Sequence, residues 1–215
     1  MSENRIDVRE IAKKLGLKFK KEHWLELALV HKSHGNENRA DFPPDQRDNE
    51  RLEFVGDAVL DLVVSEMLFE QYKEVPEGEL SKMRAGLVNE RTLAEISMSL
   101  GLGNYLMLGK GEENTGGREK ESILASTLEA LIAAVYFDGG YAAADKWIRK
   151  IFTGRVIDER TDSVHGDYKT RLQEVVQGRF KSAPRYEVVG TEGPDHEKTF
   201  EIQLLINDTV AATST

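Results

Sequence analysis

Asn49–Leu62, NERLEFVGDAVLDL, sets two demands against each other. Leu52, Phe54, Val55, Ala58, Val59, Leu60 and Leu62, continued by Val63 and Val64, spread apolar side chains over most of a helical circumference. A helix apolar nearly all round is normally buried. Yet Glu50, Glu53, Asp57 and Asp61 recur at spacings of three and four residues. At about 100° per residue these carboxylates fall in one narrow stripe. Carboxylates in one stripe repel one another, and a largely buried one costs several kcal/mol unless it is paired or metal-bound.

The stretch Ser122–Phe137 repeats the conflict. Between Glu121 and Asp138 the only charged residue is Glu129, set among Ile123, Leu124, Leu128, Leu131, Ile132, Val135 and Phe137. A polar stripe or a salt bridge to arginine accounts for one such helix. Two of them point to a shared oxygen-ligand metal site. With no cysteine in the chain, hard oxygen donors favour magnesium or manganese over zinc. Carboxylate-held metals activate water and stabilise the leaving oxygen of a phosphodiester, and they reverse the local field that would otherwise repel a polyanion.

Working outward, Asp7–Lys32 reads as two short helices broken at Gly16, and Ser33–Asp48 as a polar loop with Pro43 and Pro44. Asn49–Tyr72 is the helix above, and Glu79–Gly101 one or two more. A Gly-rich loop, Gly109–Gly117, precedes the second apolar helix, which Asp138-Gly139-Gly140 stops; a last helix covers Tyr141–Phe152. Residues 1–155 are thus all-α. Arg155–Gly166 reads as a charged linker, Tyr168–Gln177 as a short helix, and Arg185–Val189 with Thr199–Ile206 as a hairpin. The expected domains are therefore 1–155, a linker 156–166 and 167–215.

The 215 residues suit one domain and a small appendix. The composition, 40% hydrophobic and 31% charged, is that of a globular chain. No apolar run reaches the roughly 18–20 residues that span a bilayer, and the charged N-terminus lacks a signal-peptide core, so a cytoplasmic protein without membrane contact is expected. The net charge is −9, divided as −2 after residue 164 and −7 before it. Nucleic-acid binding must then rest on local patches and on metal ions. The glycines 109, 111, 116 and 117 lack the GxxxxGK[ST] spacing and a preceding strand, so no nucleotide cofactor is expected. Arg118 and Lys120 beside them are candidate contacts to nucleic-acid phosphates.

NERLEFVGDAVLDL resembles the signature stretch of ribonuclease III. The resemblance extends to PEGELSKMRAGLVNERTLAEI (Pro76–Ile96), LGKGEENTGGREKESILAS (Leu108–Ser126) and EALIAAVYFDGG (Glu129–Gly140). DYKTRLQEVVQGR (Asp167–Arg179) and EGPDHEKTF (Glu192–Phe200) are similar to the start of a double-stranded RNA-binding domain. The resemblance implies a mainly α fold: an all-helical endonuclease domain, then a small α+β domain. It implies a homodimer that cuts double-stranded RNA with magnesium, or manganese as a substitute, in processing of structured precursors such as rRNA and mRNA. Its products carry a 5′-phosphate and a 3′-hydroxyl.

By position, Glu53, Asp57 and Glu129 match the family's metal-binding acids, with Asp57 and Glu129 nearest the chemistry, while Glu50 and Glu77 match further acids of the cutting valley. Phe54 matches the aromatic that enters a socket on the partner subunit. Thr170, Gln173, Glu174 and His196 match positions that meet RNA minor grooves, where A-form RNA offers its shape and 2′-hydroxyls.

Two departures qualify this. Ser126 stands where the pattern has an aspartate, so the site lacks one negative charge and weaker magnesium affinity is expected. The family's binding domain also continues into a Lys-rich helix, whereas this chain stops at VAATST, which implies a domain without its last helix, through truncation or degeneracy. The competing reading is a non-catalytic double-stranded RNA-binding regulator on the same fold. Retention of Glu53, Asp57 and Glu129 at a desolvation cost argues for the enzyme.

Overall fold

A computed structural model describes residues 8–38, 43, 46–166, 168–192 and 199–214, and the side chains of these except 157–171, 174 and 192. The chain divides into two compact units, Met1–Glu159 and Arg160–Thr215. The first contains α1 (Val8–Leu15), α2 (His23–Ala28), α3 (Lys32–Glu37), α4 (Glu50–Gln71), α5 (Glu77–Leu87), α6 (Glu90–Leu100), α7 (Lys110–Asn114) and α8 (Glu121–Gly139). α9 (Tyr141–Gly166) follows α8. The second unit contains α10 (Tyr168–Phe180) and an antiparallel sheet, β1 (Arg185–Glu192), β2 (Thr199–Ile206) and β3 (Thr209–Ser214), in the order β1-β2-β3. The mainly α class with a small α+β part is the one the sequence implies.

α8 is the axis of the first unit. Leu128, Ala130, Leu131, Ile132, Ala133 and Ala134 are completely buried, and α4, α6 and α2 pack around them. α8 is in fact long and apolar enough to cross a membrane by length and composition, with a mean hydropathy of 1.3, which corrects the expectation that no run reaches that length. Its apolar faces are occupied by other helices of the chain, as in the core helix of a globular protein. Two close contacts seat it. The buried Ser97 hydroxyl of α6 donates to the Leu124 carbonyl at 2.7 Å. Gly56 of α4 lies so near that a Cβ there would stand 1.8 Å from the Glu129 carbonyl oxygen.

Four expectations are revised. The polar stretch after Ser33 is helical at its start, as α3, and the Gly-rich loop contains α7. The segment 156–166, expected as a charged linker without an assigned element, is helical to Gly166. Its low apolar content says nothing against helix. It has no proline, and α9 is already nucleated and anchored by buried Phe152 and Val156, so each further residue adds a hydrogen bond without a new nucleus. The hairpin gains a third strand through Asn207-Asp208, both at positive φ (49° and 60°), the conformation of a two-residue type I′ turn.

Candidate active site

The carboxylate stripe is positioned from the N-terminus of α4. Asn49, 3% exposed, donates its side-chain amide to the Ala28 carbonyl at 3.0 Å, and its backbone N–H to the Val30 carbonyl at 2.9 Å. Val30 in turn forms a parallel bridge with Met107. This ties the first turn of α4 to the end of α2. From there, Glu50, Glu53 and Asp57 run along one side of α4 toward Glu129 on α8.

Glu50, Glu53, Phe54, Asp57 and Glu129 line a single cleft of about 500 Å³. Burial pushes the Glu129 carboxyl up to about 8, and the charges of Asp57, Glu53 and Asp61 add to the shift. Glu53 is also raised by burial, against a hydrogen bond from Ser126 that holds it down. Asp61, one turn beyond Asp57, is raised by burial and restrained by Arg84, whose Nε lies 3.9 Å away. Its Oδ1 is buried without a hydrogen-bond partner. Such a cluster of oxygen donors, offset at Glu50 by Lys32 and at Asp61 by Arg84 but crowded around Glu129, matches what a hard divalent cation requires. Among the described residues no three acidic or histidine side chains already form a metal-ligating group, so the donors share one cleft and one field and are not a closed cage.

A second cleft, of about 330 Å³, adjoins the first and shares Glu50 and Glu53 with it. His31, Lys32, Lys120 and Ser126 are among its other walls. Lys32 Nζ lies 3.1 Å from Glu50 Oε1, and Lys120 Nζ lies 2.5 Å from Glu112 Oε1.

The structure thus brings together Glu50, Glu53, Asp57 and Glu129, and places Ser126 against Glu53 from the second cleft. Glu77 begins α5, exposed, accepts the Ser81 hydroxyl at 2.9 Å and does not line either cleft. Arg118 is engaged within the chain. It donates to the Gly103 and Leu106 carbonyls at 2.8 and 3.0 Å and pairs with Glu113 at 2.6 Å. Phe54 is 80% exposed. In α10, Gln173 is exposed, and the side chains of Thr170 and Glu174 lie outside the described residues, as does His196 entirely. Sequence reasoning passed over Lys32 and Asn49, and it placed Asp61 in the stripe but left it out of the site. Asn49 had a signal, being an N-cap residue type directly before the acidic helix; so had Asp61, at i+4 from Asp57. Nothing in the sequence pairs Lys32 with Glu50.

A ribonuclease-III-like family model matches residues 21–155, and a double-stranded RNA binding motif matches 168–215. The chain is similar to ribonuclease 3 of Syntrophobacter fumaroxidans, with 48% identity over 92% of this chain and 82% of the relative. It is likewise similar to ribonuclease 3 of Geobacter metallireducens, with 44% identity over 92% and 79%. Among solved structures, a ribonuclease III nuclease domain from Campylobacter jejuni, described for flexibility in a region involved in dimer formation, has a TM-score of 0.60 and 42% identity, covering 71% of this chain and 97% of that one. Two separate matches, to a nuclease domain and to an RNA-binding motif, therefore meet in one chain, which belongs to the ribonuclease III family of endoribonucleases that act on double-stranded RNA.

Proposed function

We propose that Glu53, Asp57 and Glu129 hold the magnesium used to hydrolyse double-stranded RNA, with manganese as a substitute and with 5′-phosphate and 3′-hydroxyl products. The observation that carries this reading is the single cleft that Glu53, Asp57 and Glu129 share, where burial and the neighbouring carboxylates push the Glu129 carboxyl up to about 8. Family members are generally metal-dependent; the choice of magnesium rests on the all-oxygen donor set. Bound there, the metal supplies Lewis acidity that makes water nucleophilic at neutral pH and offsets charge on the phosphodiester. The chain's own part is positional. Gly56 lets α4 approach the backbone at Glu129, Asn49 anchors the first turn of α4, and the Ser126 hydroxyl orients Glu53 in place of a fourth carboxylate.

The reading includes a homodimer. α4 exposes Phe54, Leu62 and Phe69 (80%, 51% and 73%) along one side, an apolar strip suited to a second copy. It also includes RNA contacts through Thr170, Gln173, Glu174 and His196 of the second unit, with Lys120 beside the cutting site, and a cytoplasmic place of work on structured precursor RNAs.

The test is cleavage of a long end-labelled RNA duplex with magnesium, with calcium and with EDTA. Magnesium-dependent fragments bearing 5′-phosphates are expected, with binding but no cutting in calcium. Cutting that survives EDTA would remove the metal from the reading. Binding without cutting in every metal would favour a regulator.

A further inference from the structure

The two clefts meet at Glu50, which belongs to both. In the second cleft its carboxylate is held by Lys32 at 3.1 Å, with both side chains more than half exposed. Across the same cleft Lys120 is held by Glu112. The charges there are arranged in cation–anion pairs, with no lysine standing alone above the cleft. Exposed pairs of this kind are screened by solvent and hold their partners weakly. Lys32 therefore gives up Glu50 at little cost once a better anion arrives.

Two further features make the second cleft a place for a phosphate. His31 Nδ1 accepts the Ser33 backbone N–H at 3.3 Å. The same nitrogen lies 2.8 Å from the Ser33 hydroxyl, so Ser33 pins the imidazole in the wall of this cleft. The first turns of α4 and α8, helices of 22 and 19 residues, both reach this cleft, through Asn49 and Glu50 and through Ser122 and Ile123. Their partial positive ends favour an anion between them. Against this stand Glu50, Glu53 and Glu112, two of which are already neutralised by the lysines.

We propose that Lys32 is a shuttle. In the free protein it holds Glu50; when duplex RNA docks, it transfers to a backbone phosphate in the second cleft and leaves Glu50 free to join Glu53, Asp57 and Glu129 in holding the cation. Lys32 is thus a positioning residue that couples RNA docking to completion of the carboxylate set. The proposal rests on the metal-site reading above.

The experiment compares the full chain with Lys32→Gln, Lys32→Arg and the double variant Lys32→Gln/Glu50→Gln. Magnesium and manganese binding to the RNA-free protein is followed by calorimetry, and duplex RNA binding is followed in calcium across a salt series. Lys32→Gln is expected to bind the cation several-fold more tightly without RNA, because Glu50 is released. The same variant is expected to bind duplex several-fold more weakly, with a salt slope shallower by about one. Lys32→Arg should stay near wild type in both, and the double variant should lose the gain in cation affinity. A Lys32→Gln protein with unchanged cation affinity, or an unchanged salt slope, would overturn the shuttle alone. So would a gain that persists without Glu50. If the wild-type chain binds no divalent cation with or without RNA, the metal-site reading falls and takes the shuttle with it.

Discussion

Glu129 sits in a field made by its own neighbours, and two measurable consequences follow. Its carboxyl is raised from 4.5 to about 8 in the metal-free protein. A raised carboxyl contributes stability that is fully present below about 4.5 and lost as pH rises through about 8. Glu129→Gln mimics the protonated form at every pH. Without divalent cations its melting temperature is expected to match wild type near pH 4.5 and to exceed it increasingly up to pH 8, and saturating magnesium should shrink that difference. A constant offset across the range would count against the shift. A cation must also displace the proton, so calorimetry in buffers of different ionisation enthalpy should show proton release at pH 7 that fades above about 8. Cleavage by Glu129→Gln should fall by on the order of a hundredfold or more, the scale of losing a positioned group at the reacting centre. Wild-type rates in single-turnover assays would remove Glu129 from the site.

Among the elements, the α4–α8 contact and the α7 region carry the arrangement. A Gly56→Ala substitution places a methyl group 1.8 Å from a backbone carbonyl oxygen, which no rotamer change relieves. The helices must separate, at a cost of about 1–3 kcal/mol. Calorimetric melting should detect the loss, and activity should drop more than the unfolded fraction explains, because Glu129 moves away from Asp57. Arg118 tests a different point. Its guanidinium satisfies the Gly103 and Leu106 carbonyls, so Arg118→Ala should destabilise by about 1–3 kcal/mol. Duplex affinity in calcium should hold at temperatures where the variant is folded. Weakened RNA binding with unchanged stability would restore the phosphate contact suggested by its place in the sequence. That place beside a Gly-rich loop was legible; its inward direction was not, because the carbonyls it meets come from a turn whose geometry only the packed α6 and α8 define.

At the scale of the whole molecule, periodicity carried far. An apolar circumference with a carboxylate stripe identified α4, and a lone glutamate identified α8, because burial and charge conflict locally. The third strand was encoded too, in Asn207-Asp208, a dipeptide that accepts two positive φ values. The helical course of 156–166 was obscured because a charged stretch without apolar periodicity reads as a linker, whereas a helix already nucleated propagates through it. The meeting of Glu50 with Lys32 was not readable, since it depends on how the α3 start is tied to Met107 and Gly109. Phe54 reads from periodicity as one more apolar residue and only by resemblance as a dimer contact; its 80% exposure is what the structure adds. Phe54→Ala should weaken self-association by about 2 kcal/mol or more, roughly thirtyfold in dissociation constant, read by sedimentation over a concentration series. An unchanged sedimentation profile would place the dimer contact elsewhere. The close approach of Gly56 to Glu129 also bears on the chain's own synthesis. Asp57 leaves the ribosome long before Glu129, and the carboxylates of the cleft are brought together only when α8 docks on α4. A chain still being made therefore holds these carboxylates apart until α8 has emerged and docked, so the cleft is the last product of the core's own completion.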